Sequence, residues 1–288
     1  MPEGPELKIT ANFLMKHLLN RSITLEIHKG RYTRHPLKNL DKVQFPLKVN
    51  KIGVKGKFIY FTFDNTEISM WVTLGMSGHF LLHNNETSPY LTEKHNNIAI
   101  HYGKKHPIWF QDYRNFGTFS FALKKEDLEN KLSKIGLDLL EIDTSFNEFY
   151  NILMEKRKDK LIGEALLEQR YISGVGNYCR SEAMYLAKIN PFVKIKQLSE
   201  EELKNLYHWI RVVLFYHYDV KLGLKLNILS KKDLKYFPKH QTHTPDYEYV
   251  FDFVVYGQKK DPLGNNVLQK KDKNGRTIHW VPEIQSKS

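Results

Sequence analysis

Hydrophobic positions along the chain follow different periodicities in successive segments. The opening segment repeats them at the three- and four-residue spacing of an amphipathic helix, at Leu7, Ala11, Phe13, Leu14, Leu18 and Leu19. From about residue 22 to residue 123, short β-branched and aromatic runs alternate with Gly, Asn and Asp. They predict strands over Ser22–His28, Phe58–Phe63, Ile68–Trp71, His79–Leu82, Asn97–Tyr102, Ile108–Asp112 and Thr118–Leu123. Regular short strands favour an antiparallel sandwich or barrel.

Beyond residue 124 the helical spacing returns. It predicts helices over Lys125–Lys131, Phe146–Glu155, Asp159–Leu167, Gly176–Ala187 and Ser199–Tyr218. Ser199 and Glu202 have the spacing of a capping box, which predicts that this last helix begins at Ser199. Two final runs, Tyr249–Tyr256 and Arg276–Val281, predict the strands of a hairpin around a polar turn rich in Lys, Asn and Gly.

These elements predict an α+β fold of two domains. We expect an N-terminal antiparallel β-sandwich with a leading α-helix over residues 1–132 and a polar linker over residues 133–145. A helical domain is expected over residues 146–248, and the terminal hairpin over residues 249–288. The apolar content of 41% is sufficient for packed cores in both domains.

The charge balance indicates a polyanionic partner. The chain has 44 Lys and Arg against 32 Asp and Glu, a formal net charge of +12, and excess positive charge favours nucleic acid through counterion release. A membrane surface or a merely basic enzyme is the alternative. Cys179 is the only cysteine, which excludes an internal disulfide and a cysteine-built zinc site. Neither a membrane-spanning run of about 18 apolar residues nor a signal-peptide run is found, so we expect a soluble intracellular protein.

The N-terminus carries candidate chemistry. Removal of Met1 would expose the secondary amine of Pro2, and an α-amino group has an ordinary pKa of about 7.7–8.0, which leaves a useful neutral fraction. Such an amine condenses with an aldehyde to an iminium, an electron sink for elimination. Glu3 could transfer protons beside it, and Glu6 is a further carboxylate. The alternative is a routine Pro–Glu helix start.

Three further motifs place polar or large side chains beside glycine. K-G-K-F at 55–58 offers Lys57 to a phosphate, or it is a solvated turn lysine. L-G-M-S-G at 74–78 and D-Y-R-N-F-G at 112–117 present Met76, Arg114 and Phe116, the residue types that fill the gap left by an extruded nucleotide. Core residues at strand ends are the alternative. The turn S-G-V-G-N opens a helix, exposing backbone N–H groups and the Asn177 amide to a phosphate.

In order and spacing, these motifs resemble the formamidopyrimidine-DNA glycosylase/endonuclease VIII family over essentially the whole chain. The start M-P-E-G-P-E is similar to the endonuclease VIII-like form. The resemblance implies Pro2 as Schiff-base nucleophile, Glu3 as general acid/base, Glu6 as supporting carboxylate and Lys57 as a phosphate contact. It also implies duplex entry by Met76, Arg114 and Phe116, and a helix–two-turn–helix whose Asn177 holds a phosphate.

The C-terminal segment departs from the four-cysteine zinc finger that most members have. Leu263, Asn266, Val281 and Ile284 stand at the cysteine positions, so this segment resembles a zincless finger, and we expect no metal and no cofactor. The expected replacement is apolar packing by Leu263, Trp280, Val281 and Ile284. Arg276 matches the arginine at the hairpin tip that grips DNA phosphates. His240 and His243 have ligand-like spacing but lack further ligands.

The resemblance therefore implies a bifunctional DNA glycosylase/AP lyase of base excision repair. It would remove oxidised pyrimidines and hydantoins through a Schiff base with Pro2 and cut the strand by β,δ-elimination. The expected partner is damaged double-stranded DNA, with single-stranded and bubble DNA left open, and we expect a monomer without a membrane partner. Nucleus, cytoplasm, viral factory and virion are left open as locations. A non-catalytic lesion-binding module is the alternative function.

Overall fold

The structure is a computed structural model of the chain and describes residues 2–82, 93–104, 106–237 and 251–286. It contains two compact units. Among the described residues, one comprises Pro2 with the chain from Glu6 to Lys134, and the other comprises Glu3–Pro5 with residues 135–237 and 251–286. Residues 137–140 of the predicted linker, which include a short strand and two buried leucines, belong to the second unit.

The first unit is built around a sheet of eight antiparallel strands. Its helices α1, α2 and α3 are Gly4–Leu18, Arg31–Arg34 and Lys125–Ser133. Strands β1 to β8 are Ser22–Ile27, Leu47–Lys55, Phe58–Phe63, Ser69–Thr73, His79–Leu81, Asn96–Tyr102, Ile108–Gln111 and Thr118–Ala122. They are ordered β5-β7-β6-β1-β2-β3-β4-β8.

The sheet folds over so that its two ends share one core. The ring of Phe110 on β7 meets the ring of Phe119 on β8 edge-on, with 4.8 Å between the centroids, although these strands lie near opposite ends of the strand order. Leu7 and Leu14 of α1 are buried in the same cluster. The predicted antiparallel β-sandwich with a leading helix is therefore confirmed.

One strand of the sandwich, β2, was not among the predicted strands. Its sequence, L-K-V-N-K-I-G-V-K, has Lys or Asn at four of nine positions, and the adjacent polar residues Asn50 and Lys51 interrupt the alternation where the register shifts. Only Val49 and Ile52 are fully buried, because the outer face of the strand is exposed. The apolar signal is therefore too sparse to stand out from a polar loop.

The second unit is mainly helical. Helices α4 to α8 are Phe146–Lys156, Ile162–Ala165, Asn177–Leu186, Glu200–Tyr218 and Val220–Lys225. A short parallel pair joins β9, Leu137–Asp138, to β10, Ile172–Ser173, and the terminal hairpin pairs β11, Leu268–Lys271, with β12, Thr277–Trp280. The predicted capping box is confirmed, because the Ser199 hydroxyl accepts from the Glu202 N–H at 3.2 Å while Ser199 N–H donates to the Glu202 carboxylate at 2.7 Å.

The predicted strand Tyr249–Tyr256 is wrong over the part that the structure describes, residues 251–256. The backbone N–H groups of Val254, Val255 and Tyr256 donate to the buried carboxylate of Glu182 on α6, at 2.7, 2.8 and 2.7 Å. Three consecutive N–H groups that converge on one side chain cannot also form a strand ladder. Residues 249 and 250 lie outside the described residues, and the hairpin begins only at β11.

The expected apolar replacement for the zinc site is only partly correct. Val281 is buried and Trp280 meets the Phe192 ring edge-on at 5.1 Å, but Leu263 is 74% exposed. The Leu263 loop is instead held by Asp261, whose carboxylate accepts from the N–H groups of residues 263 and 265 and from the Tyr185 hydroxyl. A loop with its backbone donors bonded to a carboxylate does not need its leucine buried.

No helix of the described chain is long and apolar enough to cross a membrane.

Replacing Glu182 with alanine should destabilise the second unit. The three N–H groups of residues 254–256 would lose their acceptor, and unsatisfied buried donors cost about 1–3 kcal/mol each. We expect the free energy of unfolding to fall by roughly 3 kcal/mol in urea titrations, with loss of hydrogen-exchange protection at these amides. Glu155→Ala, on the exposed face of α4, is the matched control and should change little. Unaltered protection in E182A would contradict this role.

Glu182 should also give the protein a pH-dependent stability. Burial outweighs the three N–H donors and raises the pKa of this carboxyl to about 7. The folded state binds the proton of Glu182 more tightly than the unfolded state does, and this tighter binding stabilises the fold. The stabilisation is fully present below the ordinary pKa of a glutamate and is lost as the pH rises through about 7. Between pH 5 and 8 we expect wild type to lose on the order of 3 kcal/mol relative to E182Q. Parallel pH profiles for the two proteins would rule this out.

Candidate active site

Glu3 is fixed by the N-terminus of α6. Its carboxylate is 1% exposed and accepts from the N–H groups of Tyr178 at 2.9 Å and Cys179 at 3.2 Å. These are two of the donors that the first turn of any helix leaves without intrahelical partners, and they lie at the positive end of the helix dipole. The helix therefore stabilises a buried carboxylate next to Pro2 in the chain.

The glycines of the S-G-V-G-N turn make room for this arrangement. A Cβ on Gly176 would lie 2.1 Å from the Glu3 carboxyl carbon, and one on Gly4 would lie 3.2 Å from the Gly174 Cα. The Gly4 N–H also donates to the Gly174 carbonyl at 2.8 Å. The turn and the start of α6 therefore bind the N-terminal segment of the chain itself, whereas the motif alone predicts that these backbone N–H groups bind a phosphate.

The side chain of Asn177 links the turn to the terminal hairpin. Its Nδ2 donates to the Thr277 carbonyl at 2.8 Å, and its Oδ1 accepts from the Arg180 guanidinium at 2.6 Å. An amide nitrogen has two N–H donors, and one of them is used here. The candidate phosphate contact Asn177 thus adjoins the strand that follows Arg276.

The hairpin turn is anchored by a buried ion pair that sequence reasoning missed. Arg180 on α6, fully buried, donates to the Asp272 carboxylate at 3.0 Å and to the Gly163 carbonyl at 2.8 Å. Asp272 in turn accepts from the N–H groups of Asn274 and Arg276, each at 2.9 Å. Asp272 therefore shapes the turn, and Arg180 fixes that turn to α6.

Arg180 and Asp272 each oppose the effect of burial on the pKa of the other. Burial would raise the pKa of Asp272, but its N–H donors and the Arg180 guanidinium hold that pKa below its ordinary value. Burial lowers the pKa of Arg180, and Asp272 opposes that shift. Both groups therefore stay charged near neutral pH, while the Arg276 side chain is exposed at the tip of the hairpin.

In the first unit, Lys57 lies in the tight turn between β2 and β3. Gly56 has a φ of +56°, a conformation that glycine adopts without strain, and this places Lys57 at the end of the hairpin, half-buried. Glu6 is buried in the first turn of α1, and Pro2 is half-buried two residues before that helix begins.

The loops 74–78 and 112–117 are bonded into one structure. The buried carboxylate of Asp112 accepts from the Gly117 N–H at 2.6 Å and from the Ser77 hydroxyl. Gly75, with a φ of +60°, lies against the Phe116 backbone, where a Cβ would come within 2.5 Å of the carbonyl carbon. Sequence reasoning singled out neither Asp112 nor Ser77, because only the fold brings the two loops together.

These joined loops present the three predicted side chains to the outside. Met76 is 40% exposed and Phe116 is 51% exposed, which excludes the alternative that they are core residues. The Arg114 guanidinium carbon lies 5.2 Å from the centre of the Phe116 ring, a cation–π arrangement that orients both. Exposed apolar groups beside an arginine on a rigid loop pair can enter a nucleotide stack.

Metal ligation finds no support in the described ranges. No group of three or more His, Cys, Asp or Glu side chains within them could hold a metal ion. His240 and His243, the pair with ligand-like spacing, lie outside the described residues.

Solved structures of known proteins share this fold. A MutM structure in complex with carbocyclic 8-oxo-G-containing DNA matches with a TM-score of 0.75 and 26% identity, over 99% of this chain and 100% of that one. The Lactococcus lactis Fpg bound to abasic-site DNA matches with a TM-score of 0.76 over the same shares, at 23% identity, which supports the fold alone.

Sequence comparisons lead to one family. Formamidopyrimidine-DNA glycosylases of Legionella pneumophila (strain Paris) and Oceanobacillus iheyensis are 29% and 26% identical to this chain, each over 99% of it and 98% of the relative. The family's N-terminal domain matches residues 1–119, its H2TH domain residues 135–221 and its C-terminal domain residues 244–286. These three consecutive matches account for most of the sequence, and the chain belongs to the formamidopyrimidine-DNA glycosylase family, the DNA glycosylases of base excision repair.

Proposed function

We propose that this protein is a bifunctional DNA glycosylase/AP lyase that uses the N-terminal amine of Pro2. The observation that carries the proposal is the buried Glu3 carboxylate, fixed by two helix N–H groups beside that amine. A positioned carboxylate next to a neutral secondary amine is the pairing that nucleophilic attack with proton transfer requires.

The proposed reaction proceeds through an iminium. The Pro2 nitrogen bonds to C1′ of the damaged nucleotide as the glycosidic bond breaks, and the base leaves with the bonding electrons and takes a proton. The Glu3 carboxylate takes the proton that the Pro2 nitrogen loses on bonding to C1′ and delivers it to the ring oxygen, so that the sugar ring opens and the iminium forms. Loss of a C2′ proton then expels the 3′ phosphate, and a second elimination expels the 5′ phosphate.

DNA would be held by groups from both units. We assign phosphate contacts to Lys57, Asn177 and Arg276, and occupation of the space left by the extruded nucleotide to Met76, Arg114 and Phe116. Glu6, buried near the start of α1, is the supporting carboxylate. The formal charge of +12 favours a polyanion, and the MutM relative in the solved structure is bound to 8-oxo-G-containing DNA.

The substrates proposed are oxidised pyrimidines, hydantoins and abasic sites in damaged DNA. This preference rests on the endonuclease VIII-like start M-P-E-G-P-E and on the finger without cysteines. The curated relatives bear the name formamidopyrimidine-DNA glycosylase, so formamidopyrimidine DNA is the comparison substrate for a lesion panel.

Blocking the N-terminus should abolish covalent trapping. Borohydride reduces an iminium to a stable amine, so wild type with Met1 removed should form an adduct with an abasic duplex and should nick thymine-glycol DNA over multiple turnovers. A variant with residues added before Pro2 should do neither, because its proline nitrogen is an amide. The same residues added after Ser288 form the control. Undiminished trapping by the N-terminally extended protein would eliminate Pro2 as nucleophile, and lesion binding without turnover would favour a binding module.

Three hairpin variants should separate DNA contact from anchoring. Arg276→Ala should lower kcat/KM about tenfold to a hundredfold through loss of a charged hydrogen bond, with an unchanged melting temperature. Asp272→Ala should lower both kcat/KM and the melting temperature, because it leaves Arg180 buried without its counter-charge. Such a change lowers the free energy of unfolding by about 3–5 kcal/mol.

Lys271→Ala, which removes one charge from the exposed end of β11, is the matched control for these variants and should affect neither quantity strongly. Steady-state kinetics and thermal unfolding monitored by circular dichroism make the comparison. Unfolding of R276A would instead assign Arg276 a structural role.

A further inference from the structure

The first unit has a groove on the outer side of its sheet that the proposed reaction does not use. This α3 groove has a volume of about 380 Å³ and is lined by Lys38, Trp71, Ser120, Asn130, Lys131 and Lys134, among others. Its volume falls in the range of roughly 300–1,000 Å³ that is common for small-ligand sites.

The floor of the α3 groove is rigid. Trp71 on β4 and Ser120 on β8 are cross-strand partners, so their side chains share a face of the sheet. The Trp71 indole N–H donates to the Ser69 hydroxyl at 2.8 Å, and its ring meets the Phe58 ring edge-on at 5.6 Å. The half-buried indole is therefore held in one orientation at the floor of the groove.

Two segments carry the charge. Asn130 and Lys131 on α3 and Lys134, which directly follows the helix, line the groove together, since residues three and four apart share a helix face. Lys38 also lines the groove and is fixed beside β8 by a bridge to Ser120 and by a hydrogen bond of 2.9 Å from the Phe121 N–H to its carbonyl. Basic residues from two separate segments therefore line the groove.

The lysines of the groove have no carboxylate partner in the described chain, and the Lys131 ammonium lies 5.3 Å from the centre of the Phe58 ring. Within the described ranges, none of Lys38, Lys131 and Lys134 forms an ion pair with a carboxylate. Asp127 also lines the groove, so three ammonium groups face one carboxylate. Excess positive charge above an oriented indole matches a ligand that combines a phosphate with an aromatic ring.

We infer that the α3 groove binds an unpaired nucleotide of single-stranded DNA, with the base on Trp71 and the phosphate among Lys38, Lys131 and Lys134. The identity of the polymer as DNA rests on the proposed function. Bases in a duplex are stacked within the helix, so an indole at the bottom of a groove is reached only by an unpaired base. The site selects DNA in which strands are already separated.

The test compares two double variants of the same helix. K131Q/K134Q removes two charges from the groove, and K124Q/K125Q removes two from the exposed N-terminal end of α3. Fluorescence anisotropy measures binding of an undamaged oligothymidylate and of a blunt undamaged duplex over a salt series. For the single strand, K131Q/K134Q should bind roughly twentyfold more weakly at 0.1 M salt, with a salt slope reduced by about 1.4. K124Q/K125Q and all duplex affinities should stay near wild type, and equal losses in both variants would overturn the inference.

The role of the base is tested separately. Oligothymidylate should quench tryptophan fluorescence, and Trp71→Leu should weaken single-strand binding about tenfold without changing the salt slope, because stacking releases no counterions. Inorganic polyphosphate is the base-free probe. If it competes as well as the oligonucleotide, the groove is only a phosphate patch. Thymidine monophosphate binding as tightly as the oligonucleotide would identify a free nucleotide as the ligand, which overturns the inference.

These binding measurements are independent of the chemistry at Pro2, because the DNA is undamaged and no cleavage is scored. Failure of borohydride trapping with intact single-strand selectivity would reject the proposed reaction and leave the groove. Normal trapping with no effect of K131Q/K134Q on single-strand binding would reject the groove alone.

Discussion

The rest of the second unit depends on how the positive end of α6 is neutralised. A helix that begins inside a protein leaves N–H groups unsatisfied, and a carboxylate buried alone would be still more costly. The N–H groups of Tyr178 and Cys179 donate to the Glu3 carboxylate, so the helix donors gain an acceptor and the buried carboxylate gains hydrogen bonds. Because a Cβ at position 176 would clash with the Glu3 side chain, the position of Glu3 depends on the glycine in this turn. The carboxylate to which we assign proton transfer is thereby fixed by the folding energy of the helix.

The same helix organises the segments around it through further polar side chains. Arg180 anchors the hairpin turn through Asp272, and Glu182 gathers the N–H groups of residues 254–256. Three hydrogen-bonded contacts of one helix therefore position the N-terminal carboxylate, the segment that precedes the hairpin and the hairpin turn. Each is buried and hydrogen-bonded, so loss of one partner would leave a charge or several N–H groups uncompensated.

Periodicity predicted the elements whose inner and outer faces differ strongly, such as β3 and α7. The resemblance supplied the candidate site residues, whose roles stay predictions. Neither periodicity nor the resemblance predicted the structure well where a segment is held by residues distant from it in the sequence. Strand β2 was missed because its lysines hide the alternation, and the strand predicted up to Tyr256 fails because Glu182 takes its donors. Leu263 was expected to be buried because it stands at a cysteine position, yet hydrogen bonds to Asp261 hold that loop. Asp112 and Asp272 gain their roles only from neighbours that the fold supplies.

The anchoring of the hairpin has a consequence for the conditions under which the protein can work. A zinc finger of four cysteines depends on thiolates, and oxidants convert thiolates to sulfenic acids and disulfides. Oxidised bases arise under the same conditions. Here the hairpin is held by the ion pair of Arg180 with Asp272 and by hydrogen bonds of side-chain amides. The only cysteine of the sequence, Cys179, is buried within α6. The described hairpin that carries Arg276 is anchored without a thiolate, so its anchoring should withstand the oxidative stress that creates oxidised bases.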